Sequence, residues 1–171
     1  MSESNEGSTL FLTFRLGGEL FATDVSQVRE VLEIDTITGV PNALEFMRGV
    51  INVRGSVVPV IDLRAKFDME PTERTVDTRI VVMELDLDGE MTVLGALADS
   101  VNEVIDLPAA AIEPPPRIGS RWRTKFIRGI GKKDEAFLLI LDLDKVFSMN
   151  ELLSVQAHAC GEDTQLQQAT V

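Results

Sequence analysis

The chain has one cysteine, one histidine, one tryptophan and no tyrosine among 171 residues. A lone Cys160 closes no internal disulfide, which suits a reducing compartment. The sole histidine, His158, has no His or paired Cys to build a zinc site with. It lies in a polar stretch that begins at Gln156 and reads as a flexible tail over 156–171, no place to hold a general base. No apolar run approaches the roughly 20 residues that a membrane helix needs. Residues 1–8 (MSESNEGS) read as a disordered, acidic start without the basic and apolar blocks of a signal peptide. These absences lead us to expect a soluble cytoplasmic protein that does not insert into the membrane. Asp86, Asp88 and Glu90 around Gly89 lack the twelve-residue spacing and closing glutamate of a calcium loop. The glycines fit neither phosphate-loop nor dinucleotide spacing. The sequence therefore predicts no catalytic residue, no metal and no cofactor.

Basic charge is also scarce. There are 16 Lys and Arg residues against 28 Asp and Glu, and a net charge of −12 argues against a general nucleic-acid binder. One segment runs the other way. Arg117 to Lys133 (RIGSRWRTKFIRGIGKK) contains no acidic residue. Its first four cations, Arg117, Arg121, Arg123 and Lys125, read as a solvated loop or as a patch that meets an acidic partner. Nucleic acid is the weaker alternative, although Trp122 and Phe126 are interleaved with the cations.

What the chain does have is a repeat. Phe46 to Val50 (FMRGV) returns eighty residues later as Phe126 to Ile130 (FIRGI), and Val57 to Phe67 (VVPVIDLRAKF) as Phe137 to Phe147 (FLLILDLDKVF). A weaker echo links Val28 to Leu32 (VREVL) with Val101 to Ile105 (VNEVI). Two copies do not make a solenoid; they predict two related lobes. Asp62 and Asp142 fall at matching places before Leu, as matched helix caps rather than a catalytic carboxylate pair.

The local patterns are β-dominated. Leu10, Leu12, Phe14 and Leu16 alternate as in a strand with one buried face. Gly17-Gly18, Arg54-Gly55-Ser56 and Asp88-Gly89 read as hairpin turns. Asp24 can cap a short turn over Val25 to Val28. Pro59 places its strand at an edge or turns its nitrogen outward. Phe137 to Leu141 is apolar without alternation, as in a strand buried on both faces. Residues 144–155 suit a C-terminal helix. Short strands, glycine turns and no long amphipathic helix predict small β-barrels.

Several strings together resemble one family. Leu10 to Leu16 with Gly18-Glu19-Leu20-Phe21-Ala22, Ile37-Thr38-Gly39-Val40-Pro41, Gly49 to Gly55 (GVINVRG), Val57 to Arg64 (VVPVIDLR) and Leu141 to Lys145 (LDLDK) are similar, in register, to the CheW family of chemotaxis coupling proteins. Phe21 and Ala22 depart from the Tyr and Gly that the family often carries. The resemblance implies a mainly β fold of two intertwined five-stranded SH3-like barrels over 9–155. We expect lobe 1 over about 17–77, and lobe 2 over about 9–16 plus 78–147. Neither kinase segments nor a receiver domain is present, which fits a stand-alone coupling protein. The implied role is a non-catalytic adaptor between the cytoplasmic tips of chemoreceptors and the regulatory domain of the histidine kinase CheA. It would work in membrane-associated arrays, and copies of the chain could join rings. By position, Val25, Val28, Glu30 and Arg54 match family residues of the receptor-facing groove or its rim, and Val101 and Val104 would face that groove from the second lobe; Val40, Pro41, Met47, Gly49 and Val50 are our choice for the kinase-facing edge. The alternative is a small-molecule-binding β-barrel, or a regulator of another chemosensory-like kinase pathway. It would need a closed pocket with convergent polar groups.

Overall fold

The computed structural model describes residues 8–34, 36–41, 45–67, 69–87, 89–114, 126–133 and 135–146. Ten strands carry the fold: β1 (Ser8–Leu16), β2 (Glu19–Asp24), β3 (Val28–Glu33), β4 (Met47–Val53), β5 (Ser56–Asp62), β6 (Arg79–Leu87), β7 (Glu90–Ala98), β8 (Ser100–Pro108), β9 (Ile127–Lys133) and β10 (Ala136–Leu141). Two single-turn helices, α1 (Leu63–Lys66) and α2 (Leu143–Val146), follow β5 and β10. The expected C-terminal helix is described only to Val146; the rest of 144–155, like the 156–171 tail, lies outside the described residues. So do Arg117, Arg121, Arg123 and Lys125. Strand β1 starts at Ser8, one residue before the expected domain start.

The strands form two five-stranded sheets, ordered β3-β6-β7-β5-β4 and β8-β1-β2-β10-β9. Each closes on itself through an isolated bridge, Thr38 to Val50 in one and Glu113 to Ile130 in the other, which gives two curled, SH3-like barrels. The division of the chain differs from the sequence expectation. The first lobe is built from β3 to β7 and the second takes β1 and β2 besides β8 to β10, so residues 19–24 and 79–98 change sides. The cause is long-range pairing. Strand β2 runs parallel to β10 through Phe21–Leu139 and Ala22–Ile140, just as β7 runs parallel to β5 through Gly95–Val60 and Ala96–Ile61. The N-terminal hairpin thus fills in the second barrel the place that β6–β7 fills in the first. The duplication is closed across the two ends of the domain.

Period-2 alternation explains the packing. On β6, Ile80 and Val82 enter the first barrel, while Val81, Met83, Leu85 and Leu87 join a core shared by both lobes. On β1, Phe11 enters the second barrel, while Leu12, Phe14 and Leu16 join the shared core. Both faces of β1 are therefore covered, rather than one, although Leu10 and Arg15 stay exposed. Phe14, Phe21, Phe67 and Phe126 pass stacked or tilted rings across the shared core, with centroids 5.7–6.2 Å apart. Strand β5 is an inner strand, not an edge, but its ladder to β7 begins at Val60, after Pro59. On β10, Leu138, Ile140 and Leu141 are buried, whereas Phe137 at the hairpin end is 66% exposed.

Asp62 caps α1 as expected: its carboxylate accepts from the Arg64 and Ala65 amides. It also accepts from the Thr72 amide and hydroxyl and from Arg48 Nη1, all within 2.8–2.9 Å, and is itself fully buried. One side chain thereby fastens hairpin, helix turn and the chain leading to β6.

Candidate functional site

The β4–β5 hairpin turns through Arg54 and Gly55, whose φ angles of 51° and 88° are those of a type I′ turn. Asn52 Oδ1 accepts from the Gly55 amide at 2.8 Å and closes it. Arg54 has a side chain and a positive φ, a conformation that favours Asn or Gly. Its guanidinium leaves the barrel and meets Glu30 on β3 in a bidentate pair of 2.7 and 3.2 Å. The pair crosses the seam between the two outer strands of the first sheet. Arg54 stays 78% exposed and Glu30 22%, so a partner can reach the guanidinium without unfolding anything.

Beside this pair, the same seam opens into a cleft of about 350 Å³. Leu32, Thr38, Val50, Ile51, Val57 and Ile80 are among its lining residues. Val57 is 60% exposed at the hairpin. Its repeat partner is Phe137, so both hairpins offer an apolar side chain at the same position.

The residues expected on the receptor side fall into two groups. Glu30 and Arg54 touch each other. Val28 and Val101 occupy matching places in the two lobes, opposite Met83 and Phe14 respectively, and each packs half-buried on the shared core. Val25 is half-buried on the short turn Val25–Gln27, which Asp24 caps through the Ser26 amide. Val104 is half exposed on β8.

Two of the residues expected on the kinase side are not at the surface. Met47 is buried in the shared core. Gly49 is also buried, and the Thr38 carbonyl and Ile37 side chain occupy the space where a Cβ would stand. Gly49 permits the bridge that closes the barrel and offers no surface. Of this set, Pro41 is exposed and Val40 and Val50 are half-buried.

Among the described residues no group of three or more His, Cys, Asp or Glu side chains is placed to hold a metal. The described clefts, of about 250–620 Å³, are open to solvent. No helix among these residues is long and apolar enough to cross a membrane.

Paired barrels with an open apolar seam, an accessible ion pair at its rim and exposed apolar hairpins define a protein-binding module. Residues 10–151 match the family model of the CheW-like domain, and the chain belongs to that family. It is similar to the chemotaxis protein CheW of Klebsiella aerogenes, 33% identical over 145 residues that cover 85% of each chain. It is equally similar to a probable chemotaxis protein CheW of Rhizobium etli, 33% identical over 86% of this chain and 92% of that one. In three dimensions it matches the scaffolding protein TtCheW of Thermoanaerobacter tengcongensis with a TM-score of 0.74 and 35% identity, covering 84% and 90% of the two chains.

Proposed function

We propose that the protein is a chemotaxis adaptor: it couples chemoreceptors to a CheA-type histidine kinase by binding both, and contributes no catalysis of its own. The observation that carries this reading is the Glu30–Arg54 pair on the open seam of the first barrel, in a chain similar throughout its domain to CheW proteins. The receptor tip is assigned to Glu30 and Arg54 with Val25, Val28, Val101 and Val104. The regulatory domain of the kinase is assigned to the edge that carries Val40, Pro41 and Val50. The basic stretch with Arg117, Arg121, Arg123 and Lys125 steers acidic partners on an otherwise acidic chain. The working location is the cytoplasmic face of receptor arrays, where other copies can complete rings.

Physical reasons favour this assignment. A bidentate arginine already fixed by one carboxylate has lost much of its rotamer entropy and presents its remaining donors in a set direction. Arg54→Asn tests it, because Asn suits a type I′ turn better than Arg does. The melting temperature should hold or rise slightly, and affinity for a receptor-tip fragment should fall about thirtyfold, equivalent to roughly 2 kcal/mol. Unchanged receptor affinity in the folded variant removes Arg54 from the interface.

A further inference from the structure

The two lobes meet at a polar junction that no partner assignment above uses. Arg64 on α1 donates from Nη1 to Asp99 Oδ2 at 2.9 Å and from Nε to the Glu70 carbonyl at 2.8 Å. Asp99 stands between β7 and β8, where the chain passes from the first sheet to the second. The same Oδ2 accepts the Gly17 amide at 2.7 Å, and the Asp99 amide donates to the Arg15 carbonyl at 2.9 Å. The turn between β1 and β2 is thus pinned to the first lobe. Met69, whose amide bonds the Arg64 carbonyl, packs on Gly17 beside the Arg64 guanidinium. Arg64 and Asp99 are 19% and 27% exposed, so solvent screens this pair less than a surface pair.

The position matters more than the strength. Arg64 comes two residues after the end of the β4–β5 hairpin, whose outer strand bears Val50. Asp99 comes two residues before Val101. The ion pair is a short mechanical connection from the kinase-side hairpin of one lobe to the receptor-side strand of the other. At the matching site of the second copy stands Asp144, which faces Gln27 at 3.4 Å. Among the described residues, one crossing between lobes is held by a charged pair with two further bonds from Asp99, the other by one long neutral donor.

We infer that Arg64 is a positioning residue: through Asp99 it sets the start of β8, and hence Val101 and Val104, relative to the hairpin of the first lobe. This rests on the adaptor reading above. The full chain carrying Arg64→Gln or Arg64→Lys is titrated with a chemoreceptor-tip fragment and, separately, with the kinase regulatory domain. The methyl resonances of Val101 and Val104 and the melting temperature are followed alongside. Arg64→Gln should shift both methyls and lower receptor-tip affinity about fivefold, the lower end of ordinary coupling between sites, with kinase affinity held within about twofold. Arg64→Lys should recover most of the receptor affinity. A folded Gln variant with unmoved methyls and unchanged receptor affinity overturns the inference. So does an equal loss for both partners that merely follows a drop in melting temperature. If Arg64→Gln does not fold, Asp99→Asn, which keeps an acceptor for Gly17, is read in the same way. Should the unaltered chain fail to bind the receptor fragment, the adaptor reading falls, and the methyl shifts alone then decide for or against the positioning role.

Discussion

The repeated hairpins carry the same charged residues at two key places and use them differently. Arg48 and Asp62 of the first copy form a 2.9 Å pair around a fully buried carboxylate with four further amide and hydroxyl donors. Arg128 and Asp142 of the second copy are not a pair. Arg128 reaches toward Asp24 at 4.0 Å and lies over the Phe11 ring, while Asp142 faces Lys145 at 3.7 Å. The first lobe must return its chain through Thr72 to β6, and Asp62 anchors that return. The second lobe takes its remaining hairpin from the N-terminus, so Asp142 has no such strand to secure. Identity between repeat copies therefore marks shared backbone geometry, with the Asp62 and Asp142 amides bonded alike to the Phe46 and Phe126 carbonyls, and not shared side-chain interactions. The turn residues of the two hairpins differ as well. Arg54 occupies the first hairpin turn and pairs with Glu30, whereas the matching place in the second hairpin is Asp134, a residue of opposite charge.

The largest expected effect separates the two aspartates. Asp62→Ala should cost about 3 kcal/mol or more, because it strands a buried amide and an arginine. Asp142→Ala should cost less than about 1 kcal/mol, as partly exposed pairs do. Denaturant unfolding of both variants measures the gap, and equal losses would mean that the lobes are held alike. A second contrast concerns Thr23, whose buried hydroxyl has no partner among the described residues and which stands where the first lobe has Ala96. Thr23→Val should stabilise by about 1 kcal/mol, since it removes an unpaired polar atom at constant volume. A loss of similar size would show that the hydroxyl is bonded in solution.

The smallest effect is on pH. Asp144 is exposed to solvent, yet partial desolvation by its neighbours, then the nearby charges of Asp142 and Asp86, raise its carboxyl above its ordinary 3.8, and the Gln27 hydrogen bond opposes this only in part. The folded state then holds this proton more tightly than the unfolded chain. Ionised Asp144 weakens the fold at neutral pH, and the penalty disappears as pH falls through the raised value toward 3.8. Asp144→Asn should flatten the stability profile just above that point and leave the neutral-pH fold equal or slightly stronger. A steeper profile in the variant would reverse the sign.

Much of the fold was legible locally. Glycine turns, the Asp62 cap and the eighty-residue repeat located both β-hairpins of the repeat and the helix turn after each, because each depends on neighbours a few residues apart. Sheet membership was not legible. The parallel pairing of Phe21 with Leu139 joins residues more than a hundred positions apart, and nothing in either strand's pattern specifies it. The site divides similarly. Charge marked Glu30 and Arg54 as surface groups, but only the closed barrel shows them bonded. Met47 and Gly49 could not be assigned from residue type, since a methionine fits a core as well as an interface. Gly49's role depends on the Thr38 carbonyl, which reaches it only once the seam closes.

The central claim is that one chain holds two different partners through two surfaces. Sedimentation of the purified chain with a receptor-tip fragment and the kinase regulatory domain tests it most directly. The account predicts a three-component complex, with Arg54→Asn losing the receptor fragment and retaining the kinase domain. If receptor and kinase displace each other, or Arg54→Asn releases the kinase and keeps the receptor, the account is contradicted.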